Sequence, residues 1–402
     1  MNIGLVYNNN IKGQTHGGGY TIQEELLKNI EKIKNESISL TLISLKKLNN
    51  NSLKLYKSKF KNILYLKRNI FDRLRENLIR NFSFFSERGY YKSKLDRICL
   101  ENDLDIVLFL DDIHTILTNF PFVTSVYDVD HIKFPFFPEF SKNNKWYKRE
   151  NNYQSHLKKA SAIISGTNYG ISQINQYYGI PKRKLYKIPH PSIKYDLKND
   201  FNINDDYIKN LGLKKNKFLF YPAQFWAHKN HNSLINLGLK LREKFKDNLK
   251  IVFSGSDKGN LKFIMDKIRN NNLNDLIKYV GFINRNELFT LYKNCLALTY
   301  VSYGGPENLP PLEAFSLECP VIAAKNEGSM EQLEDGAILI DPNNSDEFME
   351  AILKLQDNKF RNDLVLKAKK VSEKKSIDTF MVNLKKLILD LGKYIETWKK
   401  LS

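Results

Sequence analysis

Two carboxylates and a pair of prolines near residue 310 make the first chemical statement in this chain. The stretch Ser302 to Glu331 holds a Gly- and Pro-rich loop (Gly304 to Pro311), a short helix carrying Leu312, Glu313, Phe315 and Ser316, and an apolar strand at Pro320 to Ala324. Pro310 and Pro311 suit a helix start, where a missing backbone N–H costs little because the first-turn donors have no intrahelical partner. First-turn N–H groups and the positive end of the helix make a place for a phosphate or a polyhydroxyl ligand. Glu313 can accept hydrogen bonds from a vicinal diol such as a ribose. Glu307 and Glu313 thus flank a candidate anion and sugar site, with Gly305, Asn308 and Leu309 on the same loop.

A second cluster follows a strand at Phe218 to Tyr221 and reads Pro222-Ala223-Gln224-Phe225-Trp226-Ala227-His228-Lys229-Asn230-His231. An ammonium at Lys229, near the start of a helix from Asn230 to Leu241, is well placed to hold a diphosphate. In the first half of the chain the apolar strand Leu104 to Leu110 ends at Asp111, Asp112 and His114, and Phe122 to Tyr127 delivers Asp128, Asp130 and His131 to the same edge. Open α/β sheets bind ligands at that edge. None of these His and Asp residues has the tight spacing of a zinc site, and no metal is expected.

The stretch from Ser302 to Glu331 resembles the donor-binding signature of retaining glycosyltransferases of family 4, in which a Glu, seven residues and a second Glu precede a buried Pro-Val-Ile strand. The resemblance spans nearly the whole chain and is strongest there and from Tyr221 to His231. It implies an α/β chain of the GT-B type, with two facing Rossmann-like domains, parallel sheets and an interdomain cleft. It also implies retaining transfer of a sugar from a nucleotide diphosphate donor to a glycan or lipid-linked glycan, with no cofactor. The spelling Gly-Pro-x-Asn-Leu-Pro-Pro-Leu-Glu-Ala is similar to a branch that builds bacterial surface polysaccharides.

Carried over residue by residue, Glu313 falls on the second Glu and would bind the donor ribose. The first Glu falls on Gly305, and the nearest acid, Glu307, leaves five residues between the pair. Lys229 matches a family Lys that contacts the diphosphate. Gln224 stands where the family has an Arg, a loss of charge that His228, His231 or Lys258 would have to replace. Gly255, at the end of a strand from Leu249 to Ser254, and Phe282-Ile283, where the family rests the nucleotide base on backbone, complete the donor side. On the acceptor side Ser-Val-Tyr-Asp-Val-Asp-His resembles a loop in which His-Asp ends a strand. Asp128 matches the Asp, Tyr127 stands at the His position, and His131 is the substitute imidazole. Lys229, Glu307, Asp128 and His131 are then the catalytic candidates. Asp128 as a simple turn cap is the structural alternative.

These residues need two frameworks. Strand Asn2 to Tyr7, a loop ending in Gly17-Gly18-Gly19 and a helix from Tyr20 to Lys34 open a Rossmann-like domain without the spacing of a dinucleotide fingerprint. Gly18 and Gly19 would let an acceptor approach the backbone. Arg149, on a helix from Trp146 to Lys159, and Thr167, at the turn after the strand Ser161 to Ser165, are the remaining acceptor candidates. The expected division is an acceptor domain over 1–195, a linker over 196–212, a donor domain over 213–375 and a terminal helix over 376–402 that crosses back to the first domain.

The chain has 402 residues, 42% of them hydrophobic, and a formal charge of +19. Lys46 to Arg97 carries 15 Lys and Arg against 4 Asp and Glu. Within it, Lys67 to Arg80 places Ile70, Phe71, Leu74 and Leu78 on one helical face bordered by Lys67, Arg73, Arg75 and Arg80. That pattern fits a helix on anionic lipid and equally a helix covering a sheet. Cys99, Cys295 and Cys319, an odd count in apolar surroundings, read as buried thiols in a reducing compartment. No run is long enough to span a bilayer. The expected place is the cytoplasm, at or near the inner face of the membrane. Nucleic-acid motifs are absent from the sequence, so charge alone would support only nonspecific binding. A catalytically degenerate relative acting as a partner protein is the other alternative, because Gly305 and Gln224 both replace charged family positions.

Overall fold

A computed structural model describes residues 1–8, 18–81, 93–110, 118–195, 203–245 and 249–399, and the chain divides into two units. Met1–Lys133, Lys142–Pro189 and Ile377–Ser402 form the first; Phe134–Ser141 and His190–Ser376 form the second.

The first unit is built on seven parallel strands: β1 (Asn2–Tyr7), β2 (Ser39–Ser44), β3 (Asn62–Tyr65), β4 (Ile106–Phe109), β5 (Phe122–Ser125), β6 (Ala162–Ser165) and β7 (Leu185–Lys187). Their order is β3-β2-β1-β4-β5-β6-β7. β4 and β6 are buried along their whole length, as expected where helices cover both faces of a parallel sheet. β3 went unrecognised in the sequence because it lies on the edge, with an exposed Asn62 and three half-buried residues, so neither an apolar run nor a clean alternation marks it. The terminal helix Ile377–Lys399 buries Phe380, Met381, Leu384, Leu387 and Ile388 and packs against the turn Ile30–Ile33 of this unit.

Six parallel strands carry the second unit: β8 (Phe218–Pro222), β9 (Lys250–Ser254), β10 (Ile277–Tyr279), β11 (Ala297–Tyr300), β12 (Val321–Ala324) and β13 (Ile338–Ile340), in the order β10-β9-β8-β11-β12-β13. The order reverses between β8 and β11, which makes the loops after these two strands the place where such sheets bind ligands. Those loops are Ala223 to Asn230 and Val301 to Asn308. The last residues of the interval expected to form the acceptor domain pack into this second unit: Ser192 Oγ lies 3.2 Å from the carbonyl of Leu312, 2.8 Å from Ser316 Oγ and 2.6 Å from Ser372 Oγ. Cys295 and Cys319, distant in sequence, bring their buried thiol sulfurs to 3.3 Å without a disulfide.

Candidate active site

In the second unit β8 ends and the chain turns through a short 3₁₀ segment, Ala227–Lys229, before the helix His231–Phe245. That turn aims Lys229 across the sheet edge at the end of β11. Its Nζ donates to Tyr300 Oη at 3.0 Å and to Ser302 Oγ at 3.4 Å, with the cation 5.4 Å from the Tyr300 ring centre. Tyr300 Oη donates in turn to Asn308 Oδ1 at 2.9 Å. The Gln332 amide brackets the Asn308 backbone, accepting from its N–H at 3.0 Å and donating to its carbonyl at 2.9 Å. Lys229 is therefore an oriented cation at a strand-switch edge.

Gln224 accepts from Trp226 Nε1 at 2.9 Å, and Lys258 lies 5.9 Å from the Trp226 ring centre, so a cation stands near the uncharged position. His231 cannot make up that charge. It is fully buried, stacked on Phe225 with ring centres 4.2 Å apart, and burial pushes its pKa down to about 3. His228 is committed as well: its backbone N–H donates to Glu139 at 2.8 Å, its Nδ1 lies 2.5 Å from the same oxygen, and Phe140 stacks on its ring. Burial opposes ionisation of Glu139, but the bonds from His228 win and hold its carboxyl below the ordinary value.

Gly305 has φ of +88°, and a Cβ there would sit 2.9 Å from Asn308 Oδ1. A glutamate is thus strained at this position, because Asn308 fills the space its side chain would leave by. Glu307 does not stand in for it in this conformation. Its side chain is 3% exposed and turns inward, accepting from the His190 N–H at 3.0 Å with His190 Nδ1 at 3.4 Å. Burial raises its pKa against the pull of His190. Glu313, on the helix Leu309–Ser316, is held by Tyr292 Oη at 3.2 Å and Tyr195 Oη at 3.3 Å, and burial raises its pKa too. The anion site at this helix start is leaner than expected. Pro310 and Pro311 have no N–H and the Asn308 N–H is taken by Gln332, which leaves Leu309 as the first-turn donor.

Gly255 follows β9 with φ of +150°, and an added Cβ would meet the Ala223 carbonyl oxygen at 2.2 Å; its N–H donates to Gly281 O at 3.0 Å. The β8, β9 and β10 ends are therefore locked together through backbone. Phe282 is exposed beside them and Ile283 half-buried.

In the first unit Asp128 follows β5. Its carboxylate accepts from Arg149 Nη2 at 2.7 Å and from the Asp130 N–H at 2.9 Å, while its carbonyl accepts from Tyr153 Oη at 3.1 Å. The capping contact and the cationic partner coexist, and the side chain keeps 25% exposure. His131 is fully buried, with Nε2 at 3.0 Å from Glu150, which also accepts from Tyr178 Oη at 2.8 Å. Burial and the Arg149 charge lower its pKa despite Glu150. This imidazole is neutral and belongs to the core, so it is not placed to touch an acceptor. Thr167 is buried and caps the helix Asn168–Tyr178 by accepting from Gly170 N at 3.0 Å. Gly18 and Gly19 open the helix Gly18–Asn29, and a Cβ on Gly19 would lie 3.6 Å from the Tyr127 ring. Gly19, Tyr127, Asp128 and Arg149 thus share one region. Asp111, Asp112 and His114 lie outside the described residues, as do the side chains of Arg73, Leu78 and Arg80.

Residues 204–371 match the family model for glycosyl transferases group 1. Every donor-side candidate from Gln224 to Glu313 falls within the match. Over 143 residues the chain is 27% identical to the O-antigen chain mannosyltransferase RfbU of Salmonella typhimurium; the match covers 36% of this chain and 39% of that relative. Among solved structures, a glycosyltransferase from Rickettsia africae has 16% identity and a TM-score of 0.67 over 98% of both chains. HepE of Anabaena in complex with UDP-glucose has 15% identity and a TM-score of 0.65, covering 97% of this chain and 99% of its own. WaaG, a glycosyltransferase involved in lipopolysaccharide biosynthesis, has 12% identity and a TM-score of 0.66, covering 96% and 99%. The fold is α/β of the GT-B type, and the segment that matches the group 1 model lies within the second unit.

Sequence reasoning missed Tyr300, Ser302, Gln332, Glu139 and Glu150. The first two sit where β11 meets its loop, a position already flagged by the topology rule for ligands. Gln332 and Glu150 gave no local signal, since each acts on residues remote in sequence, and Glu139 stood only as part of the stretch that follows the acceptor-side loop.

Proposed function

We propose that this protein transfers a sugar from a nucleotide diphosphate donor, with retention of anomeric configuration, to a hydroxyl of a glycan or lipid-linked glycan in bacterial surface-polysaccharide synthesis. The observation that carries the proposal is the Lys229 ammonium, held 3.0 Å from Tyr300 at the strand-switch edge inside the matched segment. There it stabilises charge that develops on the departing diphosphate, an interaction stronger in the transition state than in the ground state. The acceptor oxygen bonds to the anomeric carbon as the bond from that carbon to the diphosphate oxygen breaks. On the same face the leaving phosphate takes the acceptor proton, so no protein base is required and no metal is invoked.

Glu313 holds the ribose, with the hydroxyls of Tyr292 and Tyr195 fixing its carboxyl group. The Gly305 loop contacts the sugar through backbone, because Glu307 is spent on His190. Gly255, Phe282 and Ile283 frame the base. Asp128 orients the acceptor hydroxyl, Arg149 fixes Asp128, and His131 acts at one remove by holding Glu150. HepE was solved with UDP-glucose, which makes UDP the first nucleotide to try. The protein works at the inner face of the cytoplasmic membrane. Gly305 and the inward Glu307 favour one second reading, a degenerate transferase that serves as a partner.

Calorimetric titration of UDP, GDP, dTDP and CDP, repeated with Lys229→Ala, is the test. A preference lost in the variant supports the donor assignment. No binding of any of the four would move the weight to the degenerate partner.

A further inference from the structure

The first unit carries a basic cavity that neither the donor nor the acceptor residues use. Its volume is about 410 Å³, and Lys46, Lys67, Arg68 and Lys94 line it together with Asn69 and two leucines, with no carboxylate and no aromatic ring among the lining residues. It opens where the chain leaves β2 at Leu45-Lys46 and β3 at Leu66 to Asn69, the ligand-binding edge of a parallel sheet. Two acids stand close to these cations. Glu76 accepts from Arg68 Nη1 at 2.9 Å, and Asp72 lies 2.7 Å from Lys94 Nζ. Both acids belong to the helix Ile70–Asn81, which Asn69 caps by accepting from the Asp72 N–H at 2.8 Å.

That helix faces away from a covering role. Ile70, Phe71 and Leu74 are 70%, 75% and 54% exposed, whereas its Glu76 is buried. Three large apolar side chains in solvent beside a cationic rim give the described part of this helix the character of an interfacial helix. A soluble phosphate would meet the basic rim and leave the apolar side chains in water. A lipid would meet both.

We propose that this cavity seats the phosphate or diphosphate headgroup of a membrane lipid while Ile70, Phe71 and Leu74 enter the acyl boundary. A corollary rests on the proposed glycosyl transfer. β2 and β5 are separated by β1 and β4, so strand spacing puts the cavity edge and the end of β5 roughly 14 Å apart along the sheet. A lipid-linked acceptor would then anchor its phosphate at Lys46 and Lys67 and present a short oligosaccharide toward Asp128.

Vesicle co-sedimentation tests the headgroup site without any transfer assay. Phosphatidylcholine vesicles containing phosphatidic acid should retain the full chain at least tenfold better than phosphatidylcholine alone. Retention should fall at least tenfold in Lys46→Ala/Lys67→Ala and in Ile70→Ser/Phe71→Ser, with melting temperature unchanged. Equal retention on both vesicles, or retention that persists in the lysine variant, would overturn the proposal. So would inorganic pyrophosphate binding, lost in the lysine variant, with no retention on vesicles, since the ligand would then be a soluble phosphate. Nucleotide binding by the second unit is measured separately, so failure here leaves the donor assignment standing.

Discussion

Lys229 and Tyr300 meet ammonium to hydroxyl at 3.0 Å, and the same hydroxyl donates to Asn308 at 2.9 Å, tying the cation to the loop that precedes Glu313. Truncating Lys229 to Ala should lower the transfer rate about 10²- to 10³-fold, the usual cost of removing one group that stabilises transition-state charge. Tyr300→Phe keeps the ring and loses both hydrogen bonds, each worth about 0.5–1.5 kcal/mol net, so about a tenfold to hundredfold loss is expected. Rates of nucleotide diphosphate release in the presence of acceptor measure both.

Restoring the family glutamate by Gly305→Glu should not raise activity. The φ of +88° and the 2.9 Å approach of Asn308 Oδ1 penalise any side chain there, at about 1–3 kcal/mol of stability. Urea unfolding reads that loss, and a gain in transfer rate would show that the loop adopts another conformation with donor bound.

The pH dependence of stability should report Glu313. Burial raises its carboxyl pKa above the ordinary 4.5, against the hydroxyls of Tyr292 and Tyr195. The folded chain therefore keeps this proton to higher pH than the unfolded chain does. Between the ordinary and the raised value the folded state binds more protons, and stability falls as pH rises through that window. Glu313→Gln removes the fall, so its melting temperature should exceed that of the wild type at neutral pH and converge with it below about pH 4. Nucleotide affinity should drop in the same variant. A melting curve unchanged at neutral pH would show that Glu313 costs the fold nothing.

Arg149→Ala should separate acceptor from donor. It removes the 2.7 Å partner of Asp128, within the first unit. Transfer should fall at least about tenfold, in line with lost general positioning, while calorimetric binding of the nucleotide stays at the wild-type value. Equal losses in both would mean that Arg149 supports the fold and not the acceptor.

Apolar runs such as Leu104 to Leu110 announced parallel strands, and the order of residues around Lys229 and Glu313 announced the loops after β8 and β11, because both signals are local in sequence. β3 escaped, since an edge strand has one side in solvent and no full apolar run. His131 and His231 looked like chemistry by residue type, yet burial makes both neutral core groups, and burial is a sum over neighbours that no local pattern records.

By itself, then, the amino-acid order determined the α/β class, the strand-end position of the charged residues and which lysine follows β8 at the strand switch. Tertiary structure alone decided that Glu307 turns to His190, that Asn308 occupies the space a glutamate at 305 would need, and that Ile70 and Phe71 stand in solvent. The physical reason is that side-chain direction and desolvation depend on elements brought together across long sequence separations, such as Glu307 with His190 and Gln332 with Asn308.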